Sequence, residues 1–277
     1  MNSSAMKVSD WLQQAQRSLE AAEIGTARLD ALVLLEDELN KSRTHLLAHP
    51  EIMLTARQIK VLTHQLARRT THEPLAYIRG KTEFYGREFI VTPAVLEPRP
   101  ESETMIDLLK KYAQAALPGS PSVIADVGCG SGALGITAKL EIPSAQVDML
   151  EIDPAAQRIA QKNVIKFATS ISVIASNLLA DAPRNYDILL CNLPYVPDEF
   201  HINKAAMAEP RIAIFGGSDG LDVYRQMFAQ IQNLQQKPLL ILCESLPPQH
   251  EALGTVAGSA GYSLEEAADF IQVFRLN

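Results

Sequence analysis

Along the first 75 residues, apolar side chains recur every three or four positions, which is the spacing of helices that bury one face. We predict a first helix with Ser9 as its N-cap and Gly25 at its end, and a second helix over residues 27–39. Thr55 is the predicted N-cap of a third helix. Together these segments predict a small helical bundle.

The pattern changes after this bundle. Residues 82–91 combine aromatic and β-branched side chains around a glycine, which predicts a β-hairpin. Prolines in the next residues, up to Pro100, predict an extended linker. Short apolar segments then alternate with helical patterns, which predicts a parallel sheet covered by helices on both faces. The predicted strands are 123–127, 147–150, 171–175, 187–191 and 239–243, and the predicted helices are 133–140 and 155–167. Segments 262–265 and 270–276 predict an antiparallel pair that closes the sheet.

These patterns divide the chain into three parts. We predict a helical domain over residues 1–75, a hairpin and linker over residues 76–100, and an α/β domain over residues 101–277. The length of 277 residues agrees with about two domains.

Composition places the chain among globular proteins. Apolar residues make up 47% and charged residues 21%, so the chain can bury enough surface to fold. No apolar run reaches the roughly 18–20 residues that span a bilayer, and the first residues show no signal-peptide core. We therefore expect a cytoplasmic protein without a membrane partner. The net charge of -7 argues against binding to nucleic-acid phosphates.

Charge is uneven along the chain. Residues 1–95 carry a net charge of +1, and residues 96–277 carry -8. Residues 55–90 hold seven basic and three acidic side chains, including the pair Arg68 and Arg69. Such a run is typical of a solvated helix face. The alternative is a contact surface for an acidic partner or a ribonucleoprotein.

We expect neither a metal site nor a disulfide. The three cysteines, Cys129, Cys191 and Cys243, lie far apart and form no C-x-x-C pair. His45 and His49 share a helix face but lack the glutamate of an H-E-x-x-H site.

A glycine-rich segment, D-V-G-C-G-S-G at residues 126–132, lies between a predicted strand and a predicted helix. Glycines allow a sharp turn and a close approach of the backbone to a ligand. The last two of these glycines and Gly135 also fit the dinucleotide pattern G-x-G-x-x-G. Glu151 can accept hydrogen bonds from ribose hydroxyls of NAD or of S-adenosylmethionine (SAM). Asp126 favours SAM, because its carboxylate would stand near the methionine amino group.

The segment N-L-P-Y at residues 192–195 follows a predicted strand, at the edge of the sheet where α/β proteins bind ligands. An amide or exocyclic amine nitrogen is a poor nucleophile because its lone pair is delocalised. The Asn192 oxygen and a nearby backbone carbonyl can accept its two hydrogens and aim the lone pair at a methyl donor. Tyr195 offers a stacking surface, and Pro194 restrains Leu193. The alternative is an ordinary strand-to-loop turn.

The pairing of D-V-G-C-G-S-G with N-L-P-Y resembles the amino-methyltransferases, whose usual motif is [N/D/S]-P-P-[Y/F/W]. Further segments resemble the HemK/PrmC family, the N5-glutamine methyltransferases of peptide chain release factors. These segments are 73–80 with 83–86, 98–103, and 209–211 with 216–222. The resemblance covers nearly the whole chain. It implies a class I, Rossmann-like SAM-dependent methyltransferase domain preceded by a helical substrate-recognition domain and a hairpin.

The resemblance also implies roles for individual residues. The cofactor-binding residues would be Asp126, Gly128, Cys129, Gly130, Ser131, Gly132, Glu151, Asn177, Leu178 and Asn192. Glu151 would hold the ribose hydroxyls, and Asn177 and Leu178 would flank the adenine. Asn192 and Tyr195 would be catalytic. The substrate amide would lie against Asn192, Leu193, Pro194 and Tyr195. Arg99, Glu101 and Glu103 match the family's linker signature, with capping and solvated roles as the alternative.

The chain departs from the family pattern at three positions. Leu193 replaces the usual first proline, at a cost in rigidity of about 0.4–1 kcal/mol. The form N-L-P-Y is also common in ribosomal RNA adenine N6-dimethylases. Asn177 replaces a usual Asp, and Cys129 replaces a common Thr.

From the resemblance we expect a SAM-dependent enzyme that methylates the glutamine amide nitrogen in the Gly-Gly-Gln loop of a release factor and releases S-adenosylhomocysteine. We expect a monomer that needs no metal, with the basic run at residues 55–90 as the docking surface. The alternatives are methylation of a ribosomal-protein glutamine or of an RNA adenine, an NAD-dependent dehydrogenase, and a non-catalytic SAM-binding scaffold.

Overall fold

The computed structural model describes residues 6–116 and 121–277. The chain divides into two compact units. One contains the residues up to 80 together with 203–208, and the other contains 81–202 and 209–277. Within the described residues, no helix is long and apolar enough to cross a membrane.

The first unit is a helical bundle with one short strand pair. Its elements are β1 (Met6–Lys7), α1 (Val8–Ala21), α2 (Ala27–Leu39), α3 (Arg43–Ala48), β2 (Met53–Leu54), α4 (Ala56–Thr70) and α5 (Leu75–Arg79). β1 and β2 pair antiparallel. The core is built from one apolar face of each long helix, with Leu19, Leu34, Leu35 and Leu62 fully buried.

The predicted helix α2 and the Thr55 cap are confirmed. Thr55 forms a capping box with Gln58, in which each side chain bonds the backbone N–H of the other. The prediction that Ser9 caps α1 is wrong. The helix begins at Val8 because strand pairing fixes the preceding residues, and because the carbonyls of Ile52 and Pro50 accept its first two N–H groups.

The end of α1 is also earlier than predicted. The helix ends at Ala21 rather than at Gly25. Glu23 takes the left-handed conformation, with φ of 60°, and the Ile24 N–H bonds the Leu19 carbonyl at 3.0 Å. This geometry is that of a Schellman cap, which does not need the glycine.

The two adjacent arginines of α4 are engaged within the first unit. Arg69 forms an ion pair of 2.7 Å with Asp30, and these side chains are only 12% and 6% exposed. Arg68 pairs with Glu73, which raises the pKa of Arg68 and lowers that of Glu73. The two arginines therefore stabilise the bundle, and they do not form the free basic surface that the sequence suggested.

The second unit is an α/β domain. Its elements are β3 (Lys81–Phe84), β4 (Arg87–Ile90), α6 (Glu103–Ala116), β5 (Val123–Val127), α7 (Ala133–Glu141), β6 (Gln146–Glu151), α8 (Pro154–Lys166), β7 (Ser172–Ala175), β8 (Ile188–Cys191), α9 (Asp222–Gln232), β9 (Leu240–Glu244), α10 (His250–Ser259), β10 (Tyr262–Ala268) and β11 (Ile271–Leu276). The strands β3 and β4 form the predicted hairpin.

The central sheet of this unit has the order β10-β11-β9-β8-β5-β6-β7. The five strands from β9 to β7 are parallel, and β11 lies antiparallel between β9 and β10. The predicted α/β class, with a mainly parallel sheet closed by an antiparallel strand, is confirmed. Because the chain runs outward from β5 through β7 and then returns to β8, the strand order reverses between β5 and β8. Ligands of open α/β sheets bind at such a reversal.

Alternate residues of each strand face opposite sides of the sheet and are covered by different helices. Ile124, Leu190 and Leu242 pack against α6, α7 and α8. The neighbouring residues of the same strands face the other side and pack against α9 and α10; they are Ala125, Leu189 and Ile241. Burial on both faces makes the sheet a rigid support for the loops at its carboxyl edge.

Candidate active site

A cavity of about 250 Å³ lies at the carboxyl edge of the sheet, next to the loops that follow β5, β6, β7 and β8. Most of the predicted site residues line it: Asp126, Gly128, Cys129, Gly130, Ser131, Glu151, Asn177, Leu178, Asn192, Leu193 and Pro194. Gly132 and Tyr195 lie beside the cavity and not in its lining.

The loop after β5 is held close to its neighbours, and glycine is required there. Gly128 has a φ of 69°, and a Cβ on it would lie 3.1 Å from the Leu193 side chain. Gly132 has a φ of 81°, and a Cβ there would lie 2.9 Å from the Met149 sulfur. A side chain at either position would therefore be strained and would displace the loop that forms the cavity wall.

Glu151 holds this loop from the end of β6. Its Oε2 accepts the Gly130 N–H at 2.9 Å, and its Oε1 accepts the Asp153 N–H at 2.9 Å. Burial raises the pKa of Glu151, and these two backbone donors oppose the rise. Each carboxylate oxygen can accept a further hydrogen bond. Glu151 can therefore receive two hydroxyls of a ligand in the cavity.

Asp126, the next-to-last residue of β5, is the most buried carboxyl in the cavity lining. Its Oδ2 accepts the Gly135 N–H at 2.8 Å. Burial, together with the charge of Glu151, raises the pKa of Asp126 to about 7. Within the part of the chain that the structure describes, no cation is among the causes of this pKa, so a positively charged ligand group would find an uncompensated carboxyl here.

The loop after β7 carries a strained residue. Leu178 has a φ of 55°, in the left-handed region that a branched side chain rarely adopts. Ser176 stabilises the turn by donating its hydroxyl to the Leu178 carbonyl at 2.8 Å, and Gln230 of α9 accepts the Leu179 N–H at 2.8 Å. The Asn177 side chain is exposed beside the buried Leu178.

The turn after β8 is fixed by Tyr224, a residue that the sequence did not single out. Its fully buried hydroxyl accepts the Leu193 N–H at 3.3 Å. The same hydroxyl can donate to the Cys191 carbonyl at 2.8 Å or to the Glu244 carbonyl. One side chain of α9 therefore joins the ends of β8 and β9 to the turn.

A glycine-rich loop packs against the other side of this turn. A Cβ on Gly216 would lie 2.3 Å from the Pro194 carbonyl oxygen, and one on Gly220 would lie 2.0 Å from the Tyr195 carbonyl oxygen. Gln249 donates to that same Tyr195 oxygen at 2.8 Å. This contact explains why a glycine-rich segment, G-G-S-D-G, accompanies N-L-P-Y in the sequence.

Asn192 is oriented by Ser102, which lies in the 3-10 turn Pro100–Ser102 before α6. Asn192 Nδ2 donates to Ser102 Oγ at 3.0 Å. Its Oδ1 is therefore turned away from Ser102, and Asn192 lines the cavity. A substrate N–H in the cavity would meet an acceptor at this position.

Tyr195 makes a different contact. Its hydroxyl donates to Glu244 Oε1 at 3.0 Å. Burial, and then the charge of Glu244, raises the pKa of Tyr195, so its hydroxyl stays protonated. Tyr195 supports the turn from beside the cavity, and the predicted stacking against a substrate stays a prediction.

The linker signature residues have separate contacts. Arg99 forms an ion pair of 2.6 Å with the buried Glu209, whose pKa burial raises to about 7. Glu103 accepts the Tyr85 N–H at 2.7 Å and so holds the hairpin turn. Within the described ranges, no group of three His, Cys, Asp or Glu side chains is arranged to hold a metal ion.

Family models match both parts of the chain. The model described as the PrmC N-terminal domain matches residues 10–80, and the one described as the methyltransferase small domain matches residues 102–209.

Three curated relatives are named release factor glutamine methyltransferase. The relative from Koribacter versatilis is 36% identical over 82% of this chain and 81% of its own length. The relative from Coxiella burnetii is 35% identical over 86% of this chain and 85% of its own length. The relative from Escherichia coli is 30% identical over 96% of this chain and 95% of its own length.

Solved structures of methyltransferases share the fold at low identity. The catalytic domain of hMettl16, in complex with an RNA hairpin, has a TM-score of 0.54 and 13% identity over 80% of this chain and 82% of its own. A methyltransferase from Pyrococcus furiosus has a TM-score of 0.51 and 14% identity over 80% of this chain and 97% of its own. The predicted class I methyltransferase fold and the resemblance to the HemK/PrmC family are both confirmed, and the chain belongs to the family of release factor glutamine methyltransferases.

Proposed function

We propose that this enzyme transfers a methyl group from SAM to the side-chain amide nitrogen of the glutamine in the Gly-Gly-Gln loop of a peptide chain release factor. The observation that carries the proposal is the orientation of Asn192. Its amide nitrogen is occupied by Ser102, so its oxygen remains to accept a hydrogen from a substrate amide in the cavity.

The residues around the cavity fit SAM. Its sulfonium would supply an electrophilic methyl group. The two oxygens of Glu151 can hold the ribose hydroxyls, and Asp126 can hold the methionine ammonium group. Such a cation would compensate the buried carboxyl of Asp126, whose pKa now lies at about 7. Asn177 and Leu178 would flank the adenine. Here the exposed amide of Asn177 replaces the carboxylate that is usual in the family.

The substrate amide needs orientation more than it needs a base. Asn192 Oδ1 and the Leu193 carbonyl would accept the two N–H hydrogens, which aims the nitrogen lone pair and stabilises the charge that develops on it. The new N–C bond makes the remaining N–H acidic, so one proton passes to solvent. No strong base is therefore required.

The helical unit is the proposed recognition domain for the release factor. Because Arg68 and Arg69 are paired within the bundle, the exposed Arg57 and Lys60 of α4 are better candidates for contacts with an acidic partner. A monomeric state, a cytoplasmic location and the absence of a nucleic-acid partner stay predictions.

The test is incubation with labelled SAM and one of four acceptors. These are a purified release factor, the same factor with its Gly-Gly-Gln glutamine replaced, ribosomal proteins, and RNA. We expect label only in the first acceptor. Equal labelling of the first two, or preferential labelling of RNA or ribosomal protein, would contradict the proposal.

A further inference from the structure

A second buried carboxyl lies beside the site but outside the cavity lining. Glu244, the last residue of β9, is fully buried. Cys191 of β8 lies opposite Cys243 of β9, so the following residues, Asn192 and Glu244, leave the same edge of the sheet side by side. An ionised carboxylate in such a place costs free energy unless it is hydrogen-bonded or paired with a cation.

The two oxygens of Glu244 have different surroundings. Oε1 accepts the Tyr195 hydroxyl at 3.0 Å. Oε2 is buried and has no hydrogen-bond partner among the described residues. Burial raises the pKa of Glu244 to about 7, and the hydrogen-bonding groups Ser102, Tyr195 and Asn192 around its carboxyl oppose the rise. Glu244 is thus next to both members of the Ser102–Asn192 pair.

The hydrogens that these groups can donate determine which way the Asn192 amide faces. An ionised carboxylate only accepts hydrogen bonds. If the single Ser102 hydrogen goes to Glu244, then Ser102 Oγ must accept, and only Asn192 Nδ2 can donate to it. This is the bond that the structure shows, at 3.0 Å. A neutral Glu244 could instead donate a hydrogen bond to Ser102 Oγ. The Ser102 hydroxyl would then donate to Asn192 Oδ1, and the NH2 group of Asn192 would face the substrate.

We propose that Glu244 is a positioning residue that acts through Ser102 to keep the Asn192 amide oxygen directed at the substrate nitrogen. This inference rests on the proposed function and names a residue that the transfer itself does not touch. Two further charged groups act on this network. The charge of Glu101 raises the pKa of both Glu244 and Tyr195, and Arg99 lowers that of Tyr195.

The test compares Glu244→Gln and Ser102→Ala with the control Asp148→Asn. Asp148 is also a buried carboxyl that bonds a tyrosine hydroxyl, Tyr186 at 3.1 Å, but it lies near the start of β6, three strands from β9, and also pairs with Arg184 at 3.0 Å. A glutamine at 244 keeps the shape and can donate to Ser102, which favours the wrong amide orientation. We expect each site variant to lower kcat at least tenfold, and the double variant to be no worse than either single one.

Binding and pH profiles separate positioning from a structural role. SAM affinity measured by calorimetry should stay unchanged in Glu244→Gln. The wild-type kcat should fall below about pH 7 as Glu244 takes up a proton, and this acid limb should be absent in Glu244→Gln and present in Asp148→Asn. Retained kcat, additive losses in the double variant, or an acid limb that persists without Glu244 would overturn the inference.

A readout without substrate keeps the inference distinct from the proposed function. The NMR signal of the Asn192 side-chain amide should shift with pH in the wild type and should not shift in Glu244→Gln. An amide signal that does not titrate in the wild type would overturn the inference even if glutamine is methylated. Failure of the wild type to methylate glutamine would refute the proposed function, whereas the titration would still decide the amide orientation.

Discussion

The Leu193 N–H donates to the Tyr224 hydroxyl at 3.3 Å. Members of the family usually carry proline at the position of Leu193, and proline has no N–H to give. In this chain the hydrogen bond to Tyr224 replaces part of the rigidity that the ring would supply. The leucine side chain also fills the space against Gly128.

Tyr224→Phe should lower the free energy of unfolding by about 1–3 kcal/mol, because it removes the hydroxyl that accepts the Leu193 N–H and donates to a buried carbonyl of Cys191 or Glu244. Denaturant unfolding measures this change. In a Leu193→Pro background the same substitution should cost about 1 kcal/mol less, since the N–H is already gone. Equal costs in the two backgrounds would show that the bond contributes nothing.

Gly220→Ala should disrupt the turn, because the new Cβ would lie 2.0 Å from the Tyr195 carbonyl oxygen at a φ of 81°. We expect a loss of about 1–3 kcal/mol in the free energy of unfolding and a parallel loss of kcat. Gly254→Ala in α10 is the matched control, since it meets no atom within 4 Å. It should stabilise the helix by about 0.5–1 kcal/mol and leave kcat unchanged. Similar effects of both alanines on kcat would argue against the packing role of Gly220.

Asp126 should make SAM binding depend on pH. Its pKa in the empty cavity is about 7, and binding of the methionine ammonium requires the ionised form. The Kd for SAM should therefore fall as pH rises toward 7, by at most about tenfold per pH unit, and then level off. Calorimetry between about pH 5.5 and 7 keeps most of the ligand amino group protonated. Asp126→Asn should bind SAM weakly with little pH dependence; an unchanged slope would assign the proton to another group.

Much of the α/β unit could be predicted from the sequence, because buried parallel strands read as apolar runs and glycines mark the loops. The network around Asn192 could not, because its members are far apart in the chain. Ser102 lies 90 residues before Asn192, and Glu244 lies 49 residues after Tyr195. The register of β8 and β9 places Glu244 beside Asn192, and the turn before α6 brings Ser102 to the same place. One signal was present, since Glu244 directly follows the apolar run 239–243 and ends the strand at the ligand-binding edge.

Helix α6 was also missed, although its pattern was legible. Met105, Ile106, Leu109 and Tyr112 follow helical spacing and are buried. The prolines before it drew attention to the linker. The pairing of Arg69 with Asp30 was not visible either, because it joins α4 to α2 across 39 residues. A count of basic residues cannot distinguish paired side chains from free ones.

Arg69→Ala should destabilise the helical unit by about 3–5 kcal/mol, because it leaves the buried Asp30 charge unpaired. Arg57→Glu with Lys60→Glu alters exposed positions of the same helix. The double variant should unfold like the wild type and bind the release factor more weakly. Unchanged affinity of the double variant would remove α4 from the docking surface, and wild-type stability of Arg69→Ala would contradict the structural role of the pair.

The central claim, methyl transfer to a release-factor glutamine held by Asn192, is tested most directly by mass spectrometry of the factor after incubation with SAM. The wild type should add one methyl group, mapped to the glutamine of the Gly-Gly-Gln peptide. Asn192→Ala should add none while it still binds SAM, because Glu151, Asp126 and the loop after β7 remain to hold the cofactor. A methyl group on another residue, or full modification by Asn192→Ala, would contradict the account.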